Sequence, residues 1–205
     1  MTEIYISTDV ETDGPIPGEY SMLSLGSVAF DQKGKILGNF YKKLKKLKNA
    51  KQHPKTMEFW KENLEDYKEA TKNAQSPTKV MKEYVGWLEE LKRKTKSQLI
   101  FLSWPLCLDY PFVFWYMVKF VKKFQKIPPF EIPFSFGQGI DTKTFAMAHL
   151  KRPYQECSDS KLPKKWFKGT TSLDKKWKSH NALDDALREG KIFIKMLKEN
   201  QESKK

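Results

Sequence analysis

The segment Gln98-Leu-Ile-Phe-Leu-Ser-Trp104 is a nearly continuous apolar run, and it constrains the fold more than any other part of the sequence. Side chains alternate between the two faces of a sheet, so such a run predicts a strand that is buried on both faces. Upstream, segments 4–10, 21–30 and 36–44 are rich in β-branched and aromatic residues, and a turn at residues 31–34 separates the last two. The sequence therefore predicts an antiparallel meander followed by a buried strand.

Helices are predicted around this strand by apolar residues that recur every three or four positions. The clearest helix follows Ser76, a typical N-cap residue, and starts at Pro77, which suits the first helical turn. A short strand is expected within residues 134–141. The pattern predicts a mixed α/β sheet covered by helices, in one domain over residues 1–198 with a charged tail at 199–205. The predicted helices cover residues 55–69, 77–94, 109–124, 142–149 and 181–198.

Charge and cysteine content limit the cellular setting and the class of partner. The chain carries 38 Lys and Arg against 25 Asp and Glu, a formal net charge of +13, and nearly all of the excess is lysine. Lysine contacts phosphate backbones better than it reads bases, so the two interpretations are a polyanionic partner and a merely lysine-rich surface. Two cysteines are too few for a disulfide framework, and neither a signal peptide nor an apolar run of membrane length is recognisable. We expect a cytoplasmic protein that does not contact a membrane.

Carboxylates occur where two of the predicted strands end. Asp9 and Glu11 are two residues apart in the first strand, so both point to the same face. Their mutual repulsion would be removed by a bound divalent cation, although such a pair on its own is more often a solvent-facing feature. Asp109 follows the buried strand at the start of a helix, where an acid either stabilises the helix dipole or faces a ligand.

A third group of polar residues opens the last predicted helix. His180 and Asp185 are five residues apart, which would separate them by about 140° around a continuous helix. They converge only if His180 lies in the loop before the helix and Asp185 projects from its first turns, with Ser179 or Asn181 as the N-cap. In the alternative interpretation, Asp184 and Asp185 stabilise the helix N-terminus and His180 is an exposed residue without a role.

Taken in chain order, these three motifs resemble those of the DEDDh exonucleases, the superfamily of proofreading subunits, oligoribonuclease and ribonuclease T. The resemblance runs from Asp9 to Asp185 and includes Gly14 and the strand that begins at Leu23. The block Thr56-Met57-Glu58-Phe59-Trp60 is a weaker match to some phage and bacterial members. The resemblance implies a ribonuclease-H-like fold, with a mixed five-stranded sheet flanked by helices.

The resemblance also implies roles for individual residues. Pro105 stands where the family usually has an asparagine, so Asp141 is a rival of Asp109 for the second motif. Asp184 competes with Asp185, but the four-residue gap after His180 favours Asp185, and Asp13 is a candidate outer ligand. By resemblance, the metal ligands are Asp9, Glu11, Asp109 and Asp185, and the general base is His180.

The implied activity is that of a 3′→5′ exonuclease that releases nucleoside 5′-monophosphates from the end of a single-stranded nucleic acid. Two Mg²⁺ ions would serve the reaction, with Mn²⁺ as a substitute. Thr12, next to Glu11, and Trp104, which precedes Asp109, are the expected substrate contacts. Trp166, Phe167 and Trp177 lie ahead of the catalytic histidine, and core packing is the simpler role for each.

The identity of the substrate stays open at this point. No polymerase or helicase segment is recognisable, which favours RNA or short oligonucleotides, and a DNA-directed exonuclease is the first alternative. The second alternative is a catalytically inactive module that binds nucleic acid. A homodimer is the expectation by resemblance.

Overall fold

The structure is a computed structural model that describes residues 2–128, 131–134, 138–170 and 180–202. Its strands are β1 (Glu3–Thr12), β2 (Met22–Asp31), β3 (Ile36–Lys43), β4 (Gln98–Ser103) and β5 (Gly139–Asp141). They form one mixed sheet in the order β3-β2-β1-β4-β5. The first three strands are the predicted antiparallel meander, while β4 and β5 run parallel to β1. The C-terminal ends of β1, β4 and β5 therefore meet at one edge, and the predicted fold class is confirmed.

Helices cover both faces of this sheet. Within the described residues, none of them is long and apolar enough to cross a membrane. The helix predicted from Pro77 is confirmed, and the Ser76 hydroxyl caps it by accepting from the Lys79 N–H. The α-helices are α1 (Pro54–Glu62), α2 (Leu64–Thr71), α3 (Pro77–Thr95), α4 (Leu106–Phe120), α5 (Thr142–Leu150) and α6 (Ala182–Glu202).

Three helix boundaries differ from the sequence prediction. The single helix predicted over residues 55–69 is wrong, because the backbone leaves helical geometry at Asn63 and so separates α1 from α2. Helix α4 begins at Leu106, three residues earlier than predicted, and is followed by a short 3₁₀ turn over Lys122–Gln125. Helix α6 continues to Glu202, four residues beyond its predicted end. Trp177 and Ser179 lie outside the described residues.

Alternate side chains of β1 serve two hydrophobic cores on opposite faces of the sheet. Ile6 and Val10 pack with α3 and α4, whereas Tyr5 packs edge-to-face against a phenylalanine of α6 at 5.0 Å between ring centroids. Asp9 and Glu11 share the parity of Tyr5, so they point towards α6.

Two glycines let α6 lie directly on β2. Gly26 pairs with Asp9 across the β1–β2 ladder, and a Cβ atom there would lie 2.3 Å from the Ala182 carbonyl carbon. A Cβ atom at Gly190 would lie 2.2 Å from the Phe30 ring. Real Cβ atoms do not approach so closely, so the two glycines hold the start of α6 beside the acids of β1.

Candidate active site

The carboxylates of Asp9, Glu11 and Asp185 meet where β1 ends. One oxygen atom from each residue lies within 4.8 Å of the other two. The alternation of β1 presents two of these acids on one face, and the first turn of α6 presents the third. Oxygen atoms grouped in this way suit a divalent cation, because hard cations such as Mg²⁺ and Ca²⁺ prefer carboxylate ligands.

Asp109 adjoins this group without belonging to it. It lies in the first turn of α4 and its exposed fraction is 1%. Strand β4 pairs with β1 only as far as Ser7, and beyond that point the Val10 N–H donates to Asp109 Oδ1 at 3.3 Å. Within the described residues, Asp109 Oδ2 is buried without a hydrogen-bond partner. A buried carboxylate oxygen without a donor is costly, so this acid also fits a neighbouring cation.

Desolvation and mutual repulsion raise the pKa values of these acids. Burial raises the pKa of Glu11 to about 8, and Asp185 is the neighbouring charge that adds most to the shift. Burial also raises the pKa of Asp9 well above its usual range, with Asp109 as the largest neighbouring charge. For Asp109, burial again raises the pKa well above its usual range, and the Val10 N–H and the Ser103 hydroxyl act in the opposite direction. A bound cation would lower the pKa values of all three acids, because it favours their charged forms.

Asp141, the rival of Asp109, caps helices. Its Oδ1 accepts from the Thr144 N–H at 2.7 Å, which caps α5, and its Oδ2 accepts from the Leu106 N–H at 3.1 Å, which caps α4. Pro105 precedes α4 and has no side chain that can cap it, so Asp141 supplies the missing acceptor from another strand. Both oxygens of Asp141 therefore cap helices, whereas Asp109 lies beside the three carboxylates, and its assignment to the second motif stays a prediction.

Two other candidates from the sequence lie outside the group of three. Asp184 is next to Asp185 on α6, but its carboxylate does not join that group. Asp13 is fully buried, and its Oδ1 accepts from the Ser21 N–H, which closes the loop after β1. Within the described residues, Asp13 Oδ2 is buried without a hydrogen-bond partner, and the role of Asp13 as an outer ligand stays a prediction.

His180 lies directly before α6, as the convergence of the third motif requires. Its backbone is left-handed, with φ of 62°. The next residue, Asn181, caps the helix, since its Oδ1 accepts from the N–H groups of Leu183 and Asp184 at 3.2 and 3.3 Å. The helix therefore starts after His180, and the histidine is free of the 140° separation that a continuous helix would impose.

Helix α1 joins the end of β1 to His180. The Trp60 indole donates to the Thr12 carbonyl oxygen at 2.9 Å, and the Phe59 ring lies 4.8 Å from the His180 ring. Of the two predicted substrate contacts, Thr12 therefore has a backbone held by α1, and Trp104 packs against the core beneath α6. Their contact with substrate stays a prediction.

Glu189 is an acid of this region that the sequence analysis passed over. It is buried on α6, one helical turn after Asp185, and within the described residues its Oε2 has no hydrogen-bond partner. Burial raises its pKa well above the usual range, with Asp109 as the largest neighbouring charge. The i, i+4 spacing from Asp185 was the available signal, since it places both acids on one helix face.

A separate cavity of about 760 Å³ lies at the opposite end of β4, beside the C-terminal turn of α3. Its polar lining includes Lys92, Lys96 and Glu131, and none of the clustered acids reaches it. The chemistry predicted from the sequence is therefore located at the sheet edge and not in this cavity.

The mixed five-stranded sheet with helices on both faces is the fold of solved DEDDh exonuclease structures. Solved structures confirm the resemblance at the level of the fold. The nuclease domain of 3′hExo, a DEDDh family member solved with bound rAMP, has a TM-score of 0.64 and 14% identity and covers 97% of this chain and 92% of its own. Pop2p of S. pombe, in its Mg²⁺- and Mn²⁺-bound form, has a TM-score of 0.61 and 14% identity, over 93% of this chain and 81% of its own.

A curated relative shows similarity in sequence as well. The 3′-5′ DNA exonuclease Cap18 of Escherichia coli is 28% identical over 114 residues, which is 56% of this chain and 57% of that protein. The matched segment therefore spans little more than half the length of this relative. No protein-family model matches the chain.

Proposed function

We propose that the chain is a metal-dependent 3′→5′ exonuclease that hydrolyses phosphodiester bonds at the 3′ end of single-stranded nucleic acid. The observation that carries the proposal is the convergence of Asp9, Glu11 and Asp185, with oxygens within 4.8 Å of one another, beside the buried carboxylate of Asp109. Three distant segments of the chain supply these acids. Burial of several neighbouring carboxylates without compensating positive charge is costly, and a bound cation would offset that cost.

The acids fit Mg²⁺ or Mn²⁺. Asp9, Glu11 and Asp185 would hold the ions directly, and Asp109 would complete the site from the α4 side. Divalent ions at this position supply the positive charge that stabilises the crowded, anionic transition state of phosphodiester hydrolysis. Two Mg²⁺ ions, with Mn²⁺ as a substitute, are the proposed complement, and the Mg²⁺- and Mn²⁺-bound form of Pop2p supports this choice.

His180 is the proposed general base. A neutral imidazole accepts one proton from the water molecule that attacks the phosphorus atom. The new P–O bond forms as the bond from phosphorus to the 3′ oxygen of the preceding nucleotide breaks. That 3′ oxygen takes up a proton from solvent, so the products are a nucleoside 5′-monophosphate and a strand shortened by one nucleotide. The position of His180 directly before α6, outside the helix, supports this role.

The preference for RNA or DNA is considered from one relative in sequence and one structure of similar fold. The Escherichia coli relative is a DNA exonuclease, whereas 3′hExo was solved with the ribonucleotide rAMP. Both substrates are compatible with a single-stranded 3′ end, because the scissile phosphate must reach the acids. RNA or short oligonucleotides are the substrates that the sequence analysis favours, and DNA is the alternative that the curated relative supports.

Matched single-stranded RNA and DNA, each labelled at the 5′ end, test the proposal directly. With Mg²⁺ the label should remain on a ladder of progressively shorter strands, nucleoside 5′-monophosphates should accumulate, and EDTA should stop both. Asp185→Asn should abolish shortening, while Asp184→Asn, the adjacent acid outside the group, should leave it largely intact. Strand binding without shortening in either Mg²⁺ or Mn²⁺ would instead identify an inactive nucleic-acid-binding module.

Two further predictions accompany the proposal. A homodimer is proposed from the family resemblance, and light scattering coupled to size-exclusion chromatography checks it. A cytoplasmic location is proposed because Cys107 and Cys157 are free thiols, which suits a reducing compartment. Cell fractionation checks the location.

A further inference from the structure

An aromatic pair on α1 contacts the histidine of the site. The rings of Phe59 and His180 are 4.8 Å apart between centroids and nearly perpendicular, at 83°. The Trp60 ring lies at 6.5 Å and 79° from the same imidazole. The imidazole therefore meets aromatic rings from a helix more than a hundred residues away in sequence, in the block that the sequence analysis singled out.

Helix α1 is fixed to the strand that carries the acids. Trp60 is almost fully buried, and its indole N–H donates to the carbonyl oxygen of Thr12, the residue after Glu11. At the start of the helix, the His53 N–H donates to the Asp13 carbonyl oxygen at 2.8 Å. Two hydrogen bonds, one near each end of α1, therefore tie it to the last residue of β1 and to the loop that follows, so Phe59 is presented from a fixed support.

The imidazole of His180 needs such support. Its backbone is fixed on the C-terminal side, because Asn181 caps α6 and also donates to the Tyr41 hydroxyl at 3.3 Å. Within the described part of the chain, no side chain hydrogen-bonds the His180 ring, and the rings of Phe59 and Trp60 lie against it. Edge-to-face contact between rings favours a defined relative orientation.

We infer that Phe59 is a positioning residue for His180, which holds the imidazole in the orientation required of a general base. This inference rests on the proposed function. Phe59 is 37% exposed, so its position is not explained by burial in the core. Loss of its ring lets the imidazole rotate away from the attacking water, which lowers kcat and leaves the binding of the strand unchanged.

NMR spectroscopy tests the contact without any reference to activity. The chain has three histidines, so the imidazole C–H signals are few, and His180→Asn identifies those of His180. The Phe59 ring current should displace these signals, and Phe59→Leu should return them towards the positions of a free histidine. Phe59→Tyr should keep the displacement. The signals of His149, which lies against other rings, should not move in either variant.

Steady-state kinetics test the consequence. Phe59→Leu should lower kcat by about 10- to 100-fold with little change in KM, and Phe59→Tyr should restore most of it. Leu64→Ala, which removes another exposed apolar side chain at the start of α2, is the matched control and should change neither the signals nor kcat.

Three outcomes overturn the inference. One is that the His180 signals are the same in Phe59→Leu and wild type. Another is that Phe59→Leu raises KM and leaves kcat unchanged, which assigns Phe59 to stacking on the terminal base. The third is displaced His180 signals in a wild-type chain that shortens no strand. In that case Phe59 does contact His180, but the chain is not an exonuclease. The proposed function then fails although the contact is real.

Discussion

The Val10 N–H donates to Asp109 Oδ1 across 3.3 Å, and Val10 lies between the two acids of β1. The bond forms where β4 has stopped pairing with β1, so the acid of α4 takes the place of a missing strand neighbour. The point at which β4 ends thus leaves room for Asp109 to lie beside β1. Asp141 lies on β5, the next strand of the sheet, and its two carboxylate oxygens cap α4 and α5.

Replacement of these two acids should separate function from stability. Asp109→Asn keeps an acceptor for the Val10 N–H and removes the charge, so we expect activity or metal affinity to fall by about 10- to 100-fold. Asp141→Ala should lower the free energy of unfolding by about 1 kcal/mol per lost cap and change kcat little. Urea unfolding and strand shortening measure the two effects. The opposite pattern would make Asp141 the functional acid.

Gly26→Ala should disrupt the site from β2, the neighbouring strand on the same face of the sheet. A methyl group there would overlap the backbone of Ala182, so the start of α6 must shift away from β1 together with Asp185. We expect a loss of about 1–3 kcal/mol in unfolding free energy, and weaker Mn²⁺ binding in calorimetric titration. Gly86→Ala is the control, because Gly86 lies in α3 and, apart from the backbone of its own helix, no atom lies within 4 Å of the added methyl group. That change should stabilise the protein by about 0.5–1 kcal/mol.

Stability in the absence of metal should fall as the pH rises. The folded-state pKa of Glu11 is about 8, above its ordinary value of 4.5, so the folded chain binds more protons than the unfolded chain between these values. The corresponding stability is present below about pH 4.5 and is lost as the pH rises through 8. The raised pKa values of Asp9 and Asp109 act in the same direction.

Thermal melting across this pH range, in EDTA and in Mg²⁺, measures the effect. In EDTA the melting temperature should decline towards pH 8, and Mg²⁺ should restore it, because the ion binds the folded chain. Glu11→Gln should decline less in EDTA and gain less from Mg²⁺. A wild-type profile in EDTA as flat as that of Glu11→Gln would mean that Glu11 is not desolvated in solution.

His180→Ala should remove the proposed general base and leave the carboxylates in place. General-base catalysis contributes typically about 10²- to 10⁴-fold, so we expect kcat to fall by that factor. Mn²⁺ affinity should stay close to the wild-type value, because His180 is not among the three grouped ligands. Single-turnover shortening and Mn²⁺ titration of the same variant check both parts. A fall in Mn²⁺ affinity would make His180 a ligand.

Local rules were sufficient for much of the fold. The period-2 alternation of β1 predicts that Asp9 and Glu11 share a face, and the structure shows that face turned towards α6. Ser76 caps α3 and Asn181 caps α6, and each cap depends only on a few neighbouring residues. These features are independent of how the distant parts of the chain pack.

Features that depend on long-range contacts could not be predicted. The cap that Asp141 forms on α5 spans only three residues and is a local signal, whereas its second cap, on α4, depends on the packing of β5 beside α4. The break at Asn63 gives α1 its own direction, and the Trp60 bond to Thr12 fixes it there. Glu189 was missed because its importance depends on which face of α6 meets the acids of β1 and α4.

Crystals grown with Mn²⁺ and a nucleoside 5′-monophosphate test the central claim most directly. Anomalous scattering should place manganese between the carboxylates of Asp9, Glu11 and Asp185, and Asp185→Asn should weaken or abolish that signal. Manganese bound elsewhere in an active wild-type protein, with these three side chains free of metal, would contradict the account.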